Sequence, residues 1–178
     1  MLPVTLEAAN LHWMPNVDPV EDCCVHGNIY LQVGEKIISP GDEDWTLSTT
    51  AFNFLRSAFH NHRSGQQEAL IPCCGFNMWP MASQPDGLYI PNCSRGIDWN
   101  IEHAEGLIIH ELPSGERLET TLQGWTVAVC RFADEIYHFF QTAWPKRIRL
   151  VEDRKGFELF MKLWQERRDA AQKIIDAG

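Results

Sequence analysis

Apolar and polar positions change period several times along the chain, and each change marks an element. Val25, Gly27, Ile29, Leu31 and Val33 alternate with His26, Asn28, Tyr30 and Gln32, a period of two that predicts a half-buried strand. Gly34-Glu35 supplies a tight turn, and Lys36 to Ser39 returns beside it to make a hairpin. Val4, Leu6 and Ala8 alternate in the same way. The period then becomes helical: Leu47, Ala51, Phe54, Leu55, Ala58 and Phe59 fall on one stripe. Asp44 or Thr46 is placed to cap this first helix, and His60, His62 and Arg63 fall at its C-terminal end, before Gly65.

The middle of the chain reads as sheet. Residues 69–73 and 88–93 are short apolar runs closed by Pro and Gly, and Ile97, Trp99 and Ile101 alternate with Asp98, Asn100 and Glu102. Residues 107–112 and 117–122 flank the turn signal Pro113-Ser114-Gly115. These segments predict an antiparallel meander over residues 97–122. Trp125, Val129, Phe132, Ala133, Ile136, Phe139 and Phe140 mark a second helix that must stop before Pro145. Phe157, Phe160, Met161, Trp164, Ala171 and Ile175 mark a third. Strands first, one helix inserted and two helices last predict an α+β fold, a mostly antiparallel sheet with about three helices packed on it. No repeat or linker divides the chain, so residues 1–178 are expected to form one globular domain.

Composition changes the picture in two ways. Seven tryptophans and nine phenylalanines in 178 residues predict an aromatic-rich core or interface. No apolar run approaches the roughly 20 residues that span a bilayer. The opening MLPVTLEAANLHW lacks the basic and apolar regions of a signal peptide. The expected location is therefore cytoplasmic, where cysteines stay reduced.

Charge is uneven. Of the net −9, the first fifty residues carry −7, with eight acids against the single base Lys36. Such a bias argues against direct binding of DNA or RNA, whose phosphates it would repel. It suits a basic protein partner, since complementary charge steers association.

Candidate chemistry centres on two adjacent cysteine pairs, Cys23-Cys24 in DCCVHG and Cys73-Cys74 in IPCCGFNMWP. Structural zinc sites space paired ligands as Cys-x₂₋₄-Cys, and neither pair has a spacer. On a strand, adjacent side chains diverge to opposite faces. A zinc site assembled from Cys23, His26, Cys73 and Cys93 is the alternative to burial of these sulfurs in the core. The expected cofactor is none. HNH at residues 60–62 lacks the long spacing of the nuclease motif and reads as the polar end of the first helix. His103-Ala104-Glu105 opens the H-x-E of a zinc deaminase, but no P-C-x-x-C follows it. His110-Glu111 lacks the second histidine of H-E-x-x-H. Asp98 and Glu102 would stand roughly 13 Å apart along a strand, too far to share one cation, and read as a solvated sheet face.

Asp18, Glu21 and Asp22 precede the first cysteine pair, and Asp42, Glu43 and Asp44 lie directly before Trp45. A large aromatic rimmed by acids has the make-up of an interface hot spot; Trp45 equally suits a staple on the first turn of the helix that follows. With EDCC, GDEDW and its acidic first fifty residues, this small, aromatic-rich chain resembles the immunity proteins that bacteria make beside contact-delivered toxins. The resemblance implies binding and inhibition of a cognate toxin domain, often a basic nuclease; the charge pattern, and not the resemblance, makes Asp18, Glu21, Asp22, Asp42, Glu43, Asp44 and Trp45 the candidate contact residues. A zinc-binding or cysteine-dependent enzyme built on Cys23, His26, Cys73, Cys74 and Cys93 is the alternative.

Overall fold

A computed structural model describes residues 1–75, 77–91 and 95–178. Its first layer is a three-stranded antiparallel sheet, β1 (Val4–His12), β2 (His26–Val33) and β3 (Lys36–Thr46), in the order β1-β2-β3. The predicted hairpin is present, but β3 runs seven residues past Ser39. Pro40-Gly41 does not break the strand because it opens a bulge. Asn28 pairs with Asp44 and Tyr30 with Pro40, so β3 carries two residues more than β2 over this stretch. Gly41, at φ +83°, supplies the left-handed backbone the detour requires.

The helix α1 (Leu47–Ser57) follows directly and sits at the centre of the molecule, with ten of its eleven residues buried. Thr46 occupies the N-cap position without capping through its side chain, and Asp44 remains in β3. Its polar residues are buried because each finds a partner. Ser48 Oγ accepts from Val25 N at 3.2 Å, Thr49 Oγ1 donates to Gly75 O at 2.8 Å, and Asn53 Nδ2 donates to Ala69 O at 2.9 Å. Ser57 Oγ receives the Trp125 indole N–H at 3.1 Å. Unpaired, each would cost about 1–3 kcal/mol.

The predicted meander is a second three-stranded antiparallel sheet, β8 (Asn100–Ala104), β9 (Leu107–Glu111) and β10 (Arg117–Thr121), in the order β10-β9-β8. Two-residue strands make up the rest: β4 (Ile71–Pro72) pairs with β7 (Gly96–Ile97), and β5 (Trp79–Pro80) with β6 (Leu88–Tyr89). The alternation from Ile97 to Ile101 is therefore not one strand, because pairing changes between β7 and β8, at Asp98. Helix α2 (Leu122–Gln141) is capped by Thr121, whose Oγ1 accepts from Gly124 N at 2.9 Å, and it stops before Pro145 as expected. Helix α3 (Val151–Ala177) buries Phe157, Phe160, Trp164 and Ala171. The fold is α+β. One contiguous apolar cluster joins the first sheet, α1, α2 and α3, and Phe54 lies 5.4–6.1 Å from the rings of Trp125, Trp99 and Phe132. No helix among the described residues is long and apolar enough to cross a membrane.

Candidate functional site

The bulge in β3 determines where the acids point. Asp42, Glu43 and Asp44 are exposed, and the loop that carries them is held rather than loose: Asn28 Nδ2 donates to Glu43 O at 2.8 Å, and Asn10 Nδ2 donates to Asn28 Oδ1 at 2.6 Å. Asp44 lies 3.6 Å from His12 Nε2, and no Lys or Arg pairs with any of the three among the described residues. Glu7, also exposed, pairs in register with Tyr30 on the outer side of the same sheet. Lys36, the one base of the first fifty residues, is engaged by Glu116 at 2.7 Å. Asp42, Glu43 and Asp44 thus lie together at the bulged edge of the first sheet, with Glu7 exposed on β1 of the same sheet.

Trp45 does not belong to that surface. It pairs with Gly27 in the register of β2 and β3, turns inward and is 7% exposed. Its indole packs in the core at the entry to α1, so it supports the acidic edge from beneath.

The other predicted acids meet different fates. Asp22 is buried, where its two oxygens accept from Met14 N at 2.7 Å and Cys24 N at 3.0 Å. It organises the 14–24 loop and has no carboxylate free for a partner. Asp18 is exposed but pairs with Arg147 at 2.9 Å, and the half-buried Glu21 pairs with Arg149 at 2.7 Å. The connection between α2 and α3 thus covers them with positive charge. Asp42, Glu43 and Asp44 come together; Asp18, Glu21 and Asp22 form a separate, largely neutralised group.

The fold does bring the two cysteine-bearing turns together, with Cys24 Sγ donating to Gly75 O at 3.7 Å. The sulfurs of Cys73 and Cys74 lie 3.9 Å apart instead of diverging, because β4 ends at Pro72 and the chain is no longer extended there. Burial pushes the Cys23 thiol up to about 12, the Cys130 thiol to about 11 and that of Cys24 well above its ordinary value, which suppresses the thiolate that nucleophilic or metal chemistry requires. His26 is buried against the His12 ring, 5.9 Å between centroids, and burial pushes its pKa down. No group of three or more His, Cys, Asp or Glu side chains is placed to hold a metal among the described residues, and Cys93 lies outside them. Chelation of untagged protein with EDTA is expected to leave its melting temperature unchanged. A collapse on chelation would demonstrate a structural metal, whose binding energy is folding energy.

A polar network missing from the sequence reading joins Arg56, His62 and Asp98. Helix α1 ends at Ser57, so the HNH segment lies beyond it, and His62 is 1% exposed. His62 Nε2 meets Asp98 Oδ1 at 2.7 Å and Nδ1 meets Arg56 Nη2 at 3.5 Å. Asp98 also accepts from Leu70 N at 3.1 Å and Gly65 N at 3.3 Å. Burial would raise this carboxyl, but the bonds from His62 and the loop hold it below its ordinary value. The residue read as part of a solvated face is the hub of the 62–70 loop. No local signal in the sequence marks this network, because His62 and Asp98 lie 36 residues apart.

No protein-family model, curated protein or solved structure matches the chain.

Proposed function

We propose that this protein binds a basic protein partner through the bulged acidic edge of its first sheet and thereby inhibits it, as an immunity protein inhibits a toxin. The observation that carries the reading is the exposure of Asp42, Glu43 and Asp44 on a hydrogen-bonded bulge, without a Lys or Arg partner among the described residues. A preformed acidic edge costs little to order on binding and presents its charge to solvent, where it steers encounter. The same bulge and charges stop β3 from pairing with a second sheet, so the edge favours a side-chain interface over strand addition.

The test is binding kinetics against a basic toxin domain encoded beside its gene. Replacing Asp42, Glu43 and Asp44 together by lysine is expected to slow association by about tenfold or more while changing dissociation little, because exposed rim charges act on the on-rate. The wild-type on-rate should fall as salt rises, since such charges are screened beyond roughly 10 Å at 0.1 M. An on-rate indifferent to both changes would remove this surface from the interface.

A further inference from the structure

A cleft of about 440 Å³ is bounded by Asn53 and Arg56 of α1, the 65–68 loop, the 84–86 turn and Arg167 of α3. A depression that shares Arg56, Gln67, Pro85 and Asp86 extends it toward His103. The volume falls in the range of small-molecule sites, roughly 300–1,000 Å³.

Its two arginines differ in what they have left to offer. Arg167 is 7% exposed and fully engaged: Nη1 donates to Phe52 O at 2.8 Å, Nη2 bonds Asp86, and the guanidinium stacks 3.6 Å over the Phe52 ring. It holds the floor. Arg56 is half-buried, has no carboxylate partner among the described residues, and is steadied on one side by His62. Because Arg56 can only donate, His62 Nδ1 is the acceptor and the ring proton lies on Nε2, facing Asp98. An imidazole anchored by a carboxylate thus steadies a guanidinium that lines the cleft. Glu68, half-buried in the same lining, forms no ion pair among the described residues, although its charge acts on Arg167. Asp86 is taken by Arg167.

The lining therefore balances two positive against two negative side chains, with one of each sign, Arg56 and Glu68, left without an ionic partner. A simple anion such as phosphate would meet Arg56 but also two carboxylates. A neutral ligand carrying both charges satisfies both vacant groups. We propose that the cleft binds a free α-amino acid with a polar side chain, its carboxylate taken by the Arg56 fork and its ammonium by Glu68, with Gln66 and Gln84 offering amide contacts to the side chain. This site is independent of the acidic edge.

The experiment is a ¹H–¹⁵N titration of the full chain with L-glutamine, alongside glutaramic acid (no amine), 4-aminobutanamide (no carboxylate) and inorganic phosphate. Saturable shifts in residues 65–68 and 84–86 are expected with L-glutamine, and weaker ones with each truncated analogue. Arg56→Lys keeps the charge but loses the fork and should weaken binding about tenfold. Glu68→Gln should weaken L-glutamine but leave glutaramic acid unchanged, a pattern that a merely unfolded or distorted cleft would not produce. The lysine triple variant of the acidic edge should bind L-glutamine as the wild type does. Absence of saturation, equal binding by both cleft variants, or phosphate binding as tightly as L-glutamine would each overturn the proposal.

Discussion

Gly156→Ala is expected to destabilise the protein by about 3 kcal/mol or more, although the same change in an exposed helix would stabilise it by up to about 1 kcal/mol. Gly156 sits in the first turns of α3, buried against β5, where an added Cβ would fall 1.8 Å from Met78 O and 2.5 Å from Met78 C. Both obstacles are backbone, so no side-chain rotation relieves the overlap. Either α3 lifts off β5 or residues 78–80 move, and each route exposes Phe157 and Phe160 from the core. Urea unfolding reads the result directly: the midpoint should fall with an unchanged slope. A variant as stable as the wild type, or more stable, would show that α3 is not seated on Met78.

The reason α3 needs a glycine there was invisible in the sequence, whereas α3 itself was plain. Phe157, Phe160 and Trp164 recur at a period that only a helix satisfies, and such local signals need no knowledge of what covers them. Helix α2 and the strands β1, β2, β8, β9 and β10 were readable on the same ground. What failed depended on partners far along the chain. Pro40-Gly41 looks like the end of a strand until Asn28 is seen to tie down Glu43 across the bulge. Helix α1 reads as amphipathic, yet Ser48, Thr49 and Asn53 are buried because backbone groups of residues 25, 75 and 69 reach them.

The same distinction separates the parts of the candidate site. Exposure of Asp42, Glu43 and Asp44 follows from three consecutive acids that no core can accept, so composition alone suggests it. The inward turn of Trp45 follows from strand alternation once β3 is known to continue, and the burial of Asp22 from two backbone amides that its carboxylate satisfies. Asp98 was misjudged for the opposite reason. Its partner His62 lies 36 residues away, and nothing local distinguishes a carboxylate that faces water from one that anchors a loop.

Acid should destabilise the fold well above the pH at which carboxylates titrate, and His110 is the principal cause. This residue of β9 is fully buried; the Trp99 indole N–H donates to Nδ1 at 3.2 Å and Nε2 donates to Thr120 Oγ1 at 3.3 Å. An indole nitrogen can only donate, so the native imidazole is neutral with its proton on Nε2. Protonation at Nδ1 would break the indole bond and bury an unpaired charge, and burial pushes the pKa down to about 4. The unfolded chain takes up this proton near pH 6.5 and the native state refuses it, so stability is complete above pH 6.5 and declines as the pH falls toward 4. At 1.36 kcal/mol per unit the loss is on the order of 3 kcal/mol. His26, also lowered by burial, acts in the same direction, whereas Asp98 contributes only below its ordinary range. Urea unfolding between pH 7.5 and 4.5 should show the decline, and His110→Gln, which cannot titrate, should start less stable yet lose about 3 kcal/mol less across the interval. An equal slope in the two proteins would mean that His110 accepts its proton in the native state and that the Trp99 bond does not restrain it.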